Sequence, residues 1–115
     1  MAKEITTASG LKYTITKNGT GNNPSRGDRV KVHYIGKLLN GQLFDSSLNK
    51  KPFKFTLGIG EVIAGWDEGI ALLKVGSKAT FIIPPHLAYG DEGAGALIRA
   101  NTTLVFEVEL MSFKA

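Results

Sequence analysis

The chain contains no cysteine, and this absence excludes disulfide bonds, thiol catalysis and thiolate metal sites. Only two histidines are present, His33 and His86, and their spacing does not match that of paired metal ligands. No apolar run approaches the roughly eighteen residues of a membrane-spanning helix, and the first five residues lack the apolar stretch of a signal peptide. These absences predict a soluble protein that uses no metal and no other cofactor.

Motifs for phosphate binding and for nucleophilic catalysis are also missing. The glycine-rich stretches at 58–60 and 90–95 lack the lysine and hydroxyl residues of a P-loop, and no Gly-x-Ser-x-Gly sequence occurs. Asp67 and Glu68 are adjacent carboxylates, but neighbouring residues of a helix face different ways. A solvated helix start therefore explains this pair better than a catalytic acid and base.

The 115 residues, of which 43% are hydrophobic, fit one globular domain. Residues 1–9 are mostly small and polar and are predicted to form a flexible lead-in, with the domain spanning residues 10–115. The net charge is +4, and the basic residues are scattered among acidic ones, which favours a solvated surface over a nucleic-acid interface. A small barrel that binds single-stranded nucleic acid is an alternative, but the predicted strands turn their aromatic residues inward.

One segment, residues 62–74, carries its apolar residues at helical spacing. The periodicity predicts a helix of about eleven residues, too short to be stable unless one face packs against the rest of the chain. That face comprises Ile63, Trp66, Ile70 and Leu73. Gly76, just beyond the predicted end, suits a left-handed C-cap.

Most of the remaining chain alternates apolar and polar residues, as half-buried strands do. Asn40-Gly41 is a strong hairpin signal, and Pro84-Pro85 ends a strand. The long connection from 84 to 101 has little periodicity, which is typical of a functional loop. Strands are predicted at 11–17, 30–38, 43–44, 53–57, 77–83 and 102–111, and together with the helix they indicate an α+β fold in which an antiparallel sheet wraps one short helix.

Aromatic residues are the candidates for a functional site. Phe44 is followed directly by Asp45, which places a carboxylate beside an aromatic wall, and Tyr89 lies in the long loop, where core packing does not require it. An apolar pocket with a few polar groups is the usual form of a small-ligand site.

The ordered motifs of the chain resemble the FKBP-type peptidyl-prolyl cis-trans isomerases over roughly residues 10 to 113. They are Val-His-Tyr-Ile-Gly at 32–36, Phe-Asp-Ser-Ser at 44–47, Pro-Phe-Lys-Phe at 52–55, Val-Ile-Ala-Gly-Trp at 62–66, Val-Gly at 75–76, Ala-Tyr-Gly at 88–90 and Leu-Val-Phe-Glu-Val-Glu-Leu at 104–110. The resemblance implies a five- or six-stranded antiparallel sheet half-wrapped around the helix, isomerisation of X-Pro bonds in folding proteins, and a pocket that binds the macrolides tacrolimus and rapamycin.

Carried over residue by residue, the resemblance implies catalytic roles for Phe44, Asp45, Trp66 and Tyr89. Trp66 forms the pocket floor, Phe44 and Asp45 flank the rotating amide, and the Tyr89 hydroxyl and the Ile63 backbone amide each donate to a carbonyl. The further substrate-binding residues are Tyr34, Phe53, Val62, Ile63, Leu97, Ile98 and Phe106. Because twisting an amide requires no proton transfer, Asp45 is interpreted as an orienting group and not as a general base.

Two departures from the family pattern lie in the loop over the pocket. Ala94 replaces a histidine common in the family, and Arg99-Ala100 replaces a Pro-Pro pair, so ligand preferences at this loop are predicted to differ. The short loop excludes an inserted chaperone domain. The sequence further predicts a monomer that acts on proline-containing polypeptides without nucleic-acid or membrane partners. The predicted location is the cytoplasm, with an excised domain of an exported protein as the alternative. A peptide-binding or chaperone module that uses the same pocket without turnover is the alternative function.

Overall fold

Seven β-strands and one α-helix make up the computed structural model, which describes residues 3–95 and 98–115. A single turn of 3₁₀ helix, Pro85–Leu87, follows the sixth strand. The elements are β1 (Ile5–Thr6), β2 (Lys12–Lys17), β3 (Arg29–Leu38), β4 (Leu43–Ser46), β5 (Phe53–Thr56), α1 (Ala64–Ile70), β6 (Lys78–Ile83) and β7 (Leu104–Lys114).

The strands form one antiparallel sheet in the order β1-β2-β6-β7-β3-β4, with β5 also paired to β3. β3 is central, because its whole length pairs with β7 and its two halves pair with β5 and β4. The α+β architecture predicted from the sequence is confirmed. The sheet has seven strands instead of the six predicted from the sequence. The additional short strand is formed by Ile5 and Thr6, within the predicted lead-in, which pair with Tyr13 and Lys12.

The helix is shorter than predicted, spanning Ala64–Ile70 instead of about eleven residues. Its continuation tightens into turns, in which the Leu72 N–H bonds the Gly69 carbonyl at 3.0 Å and the Leu73 N–H bonds the Ile70 carbonyl at 3.1 Å. Such three-residue spacing ends an α-helix in a tighter turn. Gly76 is in the left-handed conformation, with φ of 88°, but it lies beyond these turns.

The predicted apolar faces meet in one core between the sheet and the helix. Trp66, Ile70 and Leu73 are buried, as the helical periodicity indicated, and so are Val30 and Val32 of the alternating strand β3. The helix approaches the sheet closely, since a Cβ at Gly65 would lie 2.6 Å from Ile83 Cγ2. Glycine at this position therefore permits the contact.

The Asn40-Gly41 hairpin forms where it was predicted. The Leu38 N–H bonds the Gln42 carbonyl at 2.9 Å, Asn40 Oδ1 accepts from the Gln42 N–H, and Gly41 has φ of 90°. This turn returns the chain so that β4 lies beside β3. Within residues 3–95 and 98–115, no helix has the length and apolarity of a membrane span.

Candidate active site

A cavity of about 240 Å³ lies between the helix, the edge of the sheet and the loop after β6. Ten residues from six parts of the chain line it: Tyr34, Phe44, Asp45, Phe53, Glu61, Val62, Ile63, Trp66, Tyr89 and Phe106. Nine of the eleven predicted site residues are in this set. Side chains far apart in the sequence therefore converge on one concave surface.

Aromatic rings form the floor and walls of the cavity. Trp66 lies edge-on to Tyr34, with ring centroids 5.0 Å apart, and edge-on to Phe106 at 5.2 Å. Phe44 extends the wall by an edge-on contact with Phe106 at 5.5 Å, and Phe53 lies 6.0 Å from Trp66. Such edge-to-face pairs each contribute about 0.5–1.5 kcal/mol beyond the burial of their area, so the rings hold one another in place.

Trp66 also carries a buried polar group in this cluster. Its indole Nε1 is inaccessible to solvent and has no hydrogen-bond partner among the described residues. Trp66 therefore gives the cavity an apolar floor, and its one polar atom is buried away from solvent.

The main polar contact of the cavity joins β3 to β4. The Tyr34 hydroxyl donates a hydrogen bond of 2.7 Å to Asp45 Oδ2, while Asp45 Oδ1 accepts from the Ser46 backbone N–H at 2.8 Å. Burial, this hydrogen bond and the carboxylate charge, with a smaller effect of the nearby Tyr89, raise the pKa of the Tyr34 phenol well above its ordinary value of 10.0. Tyr34 therefore stays protonated and fixes the carboxylate at the cavity edge.

A second polar contact, which the sequence did not indicate, holds the end of β4 in position. Ser47 is buried, and its Oγ accepts from the Tyr34 backbone N–H at 2.8 Å and lies 2.8 Å from His33 Nδ1. The Ser47 N–H also bonds the Tyr34 carbonyl at 3.0 Å. Through this contact, His33 supports the segment that carries Asp45.

The loop between β5 and α1 is held by Asp67. Its carboxylate oxygens accept from the Gly58 N–H at 2.8 Å and from the Gly60 N–H at 3.0 Å. Glu61, a lining residue absent from the prediction, accepts from the Thr56 N–H at 2.9 Å. The adjacent acids Asp67 and Glu68 do not act as a pair, since Glu68 instead accepts a hydrogen bond from the Ser9 hydroxyl.

Ile63 and Tyr89 line the cavity from two separate parts of the chain. Ile63 stands at the N-terminus of α1, where its carbonyl accepts from the Trp66 and Asp67 N–H groups at 2.9 and 3.2 Å. Its own N–H is outside the helical hydrogen bonds, as the first donors of a helix are. Tyr89 follows the 3₁₀ turn and remains 40% exposed.

Two predicted pocket residues are not part of this set. Ile98 is only 7% exposed, belongs to the core and forms an antiparallel bridge with Ala94. Leu97 lies outside the described residues. Arg99 and Ala100, which replace the family's proline pair, are exposed.

A larger groove of about 500 Å³ lies on the opposite face of the sheet. It shares Tyr34 with the aromatic cavity but contains no other predicted site residue. In the described part of the chain, no group of three or more His, Asp or Glu side chains could hold a metal ion. The aromatic cavity is therefore the candidate active site.

The sequence profile of the FKBP-type peptidyl-prolyl cis-trans isomerases matches residues 20–111, which is most of the chain. The chain belongs to this family. Its activity is accordingly that of an enzyme, the cis-trans isomerisation of peptidyl-prolyl bonds, and the family assignment made from sequence motifs is confirmed.

Individual relatives agree with this assignment. FK506-binding protein 1 of Dictyostelium discoideum is 53% identical over 106 residues, which cover 91% of this chain and 99% of the relative. The probable FKBP-type isomerase FkpA of Neisseria meningitidis is 52% identical over 111 residues, which cover 96% of this isomerase but 40% of the relative.

Solved structures show the same fold. The crystal structure of AtFKBP13 superposes with a TM-score of 0.92 at 41% identity, covering 97% of this isomerase and 99% of that chain. FkpA from Escherichia coli superposes with a TM-score of 0.89 at 41% identity, covering 96% of this isomerase and 51% of that chain. In both FkpA proteins the FKBP-type region is thus part of a longer chain.

Proposed function

We propose that the aromatic cavity is the site at which this isomerase binds and twists the X-Pro bond. The observation that carries the proposal is the convergence of the predicted catalytic residues Phe44, Asp45, Trp66 and Tyr89 on a single cavity. The proline ring would lie on Trp66, between Tyr34 and Phe106. Phe53, Val62 and Ile63 would bound the substrate on the other side.

The physical basis of the rate enhancement is the polarity of the amide. Rotation about an amide has a barrier of about 18–20 kcal/mol, because the planar form is stabilised by resonance that separates charge. Twisting localises the nitrogen lone pair and makes the bond less polar. An apolar cavity that excludes water therefore favours the twisted form over the planar one, and this differential binding lowers the barrier.

The polar groups of the cavity position the substrate. We assign to the Tyr89 hydroxyl and to the Ile63 N–H the binding of two backbone carbonyls on either side of the bond that turns. Asp45, held by Tyr34 and by the Ser46 N–H, is an orienting carboxylate at the cavity edge. No residue is required to transfer a proton.

The family binds proline-containing polypeptides and macrolides. For this isomerase we propose that tacrolimus and rapamycin occupy the same cavity as the prolyl segment. Trp66 and Phe106 would contact the part of the macrolide that enters the cavity. Arg99 and Ala100, at the exposed end of the loop, would alter the affinity for the part that remains outside. The monomeric state and the cytoplasmic location remain predictions.

The decisive experiment measures isomerisation of a short peptide with an apolar residue before proline, by exchange spectroscopy, with and without rapamycin. We expect acceleration that rapamycin abolishes. Acceleration that resists rapamycin would separate the macrolide site from the active site. No acceleration by the folded protein would contradict the catalytic assignment and favour the binding module.

Replacing Phe44 by alanine tests the wall of the cavity. Phe44 is at the rim and only partly buried, so Phe44→Ala is expected to fold while reducing kcat/KM by about tenfold or more, since one apolar wall is lost. Wild-type activity in the folded variant would remove Phe44 from the mechanism. Trp66→Ala is a poorer test, because the buried indole also supports the core.

A further inference from the structure

Basic residues face one another on the outer side of the sheet, opposite to the core. Alternation along β3 buries Val30 and Val32 and therefore turns Arg29 and Lys31 outward. In the strand register, Lys31 lies directly opposite Lys54 of β5, and Arg29 lies directly opposite Lys114 of β7. We call these four residues the basic face.

Such pairing is unfavourable for the isolated fold. Side chains directly opposite one another on antiparallel strands have Cβ atoms about 4.5–5.5 Å apart, and like charges at this separation are destabilising. The basic face contains two such pairs on adjacent rows. Exposed lysines Lys50 and Lys51, in the loop that leads into β5, add further positive charge near its start.

Among the described residues, Arg29 is the one member of the basic face with an acidic ion-pair partner. In the part of the chain that the structure describes, two ion pairs form, Arg29 with Glu61 at 3.9 Å and Lys37 with Glu107 at 3.1 Å. Neither includes Lys31, Lys54 or Lys114. On its other side, Lys31 lies opposite Ser112 and Arg29 lies opposite Thr56. Neither residue therefore has a carboxylate directly opposite it in the sheet.

A third like-charge pair in the sheet, unlike the two of the basic face, has a compensating acid. Lys17 of β2 lies opposite Lys78 of β6, but Lys78 faces Glu109 of β7 on its other side. The pair also lies at an irregularity in the register, after Ile15. There the sheet itself supplies the compensating acid, whereas on the basic face it does not.

We propose that the basic face is a docking surface for an acidic segment of the polypeptides on which this isomerase acts. Charge complementarity identifies an anionic partner. Residues two apart on a strand lie about 6.8 Å apart on one face, and an extended peptide presents alternate side chains at the same interval. An extended segment with carboxylates at alternate positions therefore matches Arg29 and Lys31 along β3.

The position of β5 connects this surface to the active site. Phe53 lines the cavity, and the next residue, Lys54, belongs to the basic face. These neighbouring side chains point to opposite faces of β5, and within the described chain β5 pairs with β3 alone, so that it is an edge strand. A polypeptide that extends from the cavity around this edge would reach the basic face. Three of the four residues are lysines, and none of the four carries an aromatic ring for base stacking, which favours a polypeptide over single-stranded nucleic acid.

Binding is tested with a fluorescently labelled, proline-free peptide that alternates Glu with Ser, measured by anisotropy. We expect binding that weakens as salt is added and that leaves Trp66 fluorescence unchanged, because the cavity stays empty. The variant Lys31→Glu/Lys54→Glu should weaken binding about tenfold, because each reversal replaces an attraction by a repulsion. It retains a like-charge pair, so its stability should remain near that of the wild type.

The matched control is Lys3→Glu/Lys12→Glu, which changes the net charge equally at exposed residues far from the basic face. Equal weakening by both variants would show an effect of net charge alone and would overturn the proposal. The proposal would also be overturned if the basic face bound a single-stranded oligonucleotide or phosphatidylserine vesicles but did not bind the acidic peptide.

That the acidic partner is a substrate of the isomerase rests on the proposed function, and a second experiment tests it. Two peptides share one X-Pro core and carry either a Glu-Ser or a Gln-Ser tail. We expect the acidic tail to lower KM in the wild type but not in Lys31→Glu/Lys54→Glu, with kcat unchanged. An isomerase without activity would fail this assay yet still bind the proline-free peptide, so the two proposals fail independently.

Discussion

Tyr34 is the residue at which the sheet and the cavity meet. Its backbone binds Ser47, its ring packs edge-on against Trp66, and its hydroxyl donates to Asp45. Burial and the carboxylate both favour the neutral phenol, which is why the pKa is raised. The same side chain therefore contributes to the fold, to the shape of the cavity and to its electrostatics.

The raised pKa of Tyr34 predicts a dependence of stability on alkaline pH. Because the folded pKa exceeds the unfolded value of 10.0, the stabilising contribution is complete below pH 10 and is lost as pH rises toward the folded pKa. Urea unfolding of wild type and of Tyr34→Phe between about pH 8 and about pH 11 should show a steeper decline for the wild type. All other ionisable groups are the same in both proteins, so their effect cancels in the difference. Parallel profiles would contradict the assignment.

Gly36 determines how closely two cavity rings approach β3. A Cβ at this position would lie 2.8 Å from Phe106 Cε1 and 2.8 Å from Phe44 Cζ. We expect Gly36→Ala to lower the free energy of unfolding by about 1–3 kcal/mol and to reduce kcat/KM, because both rings must move. Unfolding in urea and the peptide assay measure the two effects. Adding Phe44→Leu should recover part of the stability, and full activity of Gly36→Ala would show that the rings tolerate displacement.

At the scale of elements, the site depends on a loop that has no regular structure of its own. The connection from β5 to α1 supplies Glu61, Val62 and Ile63 to the cavity. Asp67, one turn into the helix, binds two N–H groups of this loop. A helix of seven residues thus anchors the loop that precedes it as well as carrying Trp66.

Removing the Asp67 carboxylate should loosen this loop. Hydrogen bonds to charged groups contribute about 1.5–3 kcal/mol each when well formed, and partial exposure reduces this, so Asp67→Ala should cost about 2 kcal/mol of unfolding free energy. We also expect KM to rise, because Val62 and Ile63 lose their fixed position. Asp67→Asn, which keeps one acceptor, should lose less on both measures. A stable Asp67→Ala variant with unchanged KM would show that the loop is held by other contacts.

At the scale of the whole molecule, the cavity lies at the edge of the sheet, and the sheet holds the cavity residues in place. β3 runs through the centre, paired with β7 over its whole length, and brings Tyr34 to the cavity. Phe106 reaches the same site from β7, opposite Gly36. Binding a ligand in the cavity therefore couples to the stability of the sheet as a unit.

A ligand of the folded state should raise the melting temperature. At a free concentration one hundred times Kd, a ligand adds about 2.7 kcal/mol to the unfolding free energy, which corresponds to roughly 10 °C for a domain of this size. Calorimetry with rapamycin measures this shift. The acidic peptide of the docking test should raise the melting temperature less, because its binding is weaker. No shift with rapamycin at any concentration would contradict the macrolide proposal.

Patterns within one element were sufficient to predict the architecture. The alternation of β3 correctly buried Val30 and Val32, and the helical spacing correctly buried Trp66, Ile70 and Leu73. The length of the helix was wrong, because the turns after Ile70 depend on how the chain packs onto the sheet. The site residues came from the ordered motifs, and most of them line one cavity, whereas Ile98 is buried and is not among the lining residues.

The strands, the position of the helix and the family follow from the period of the apolar residues and from the ordered motifs along the chain. These features are local, because side-chain direction repeats every two residues in a strand and every 3.6 in a helix. Which side chains meet depends on the folded chain: Tyr34 contacts Asp45, Ser47 contacts His33, Asp67 contacts two glycine amides, and Lys31 lies opposite Lys54. Such contacts depend on strand register and on loop paths, and both are set by the packing of the whole chain.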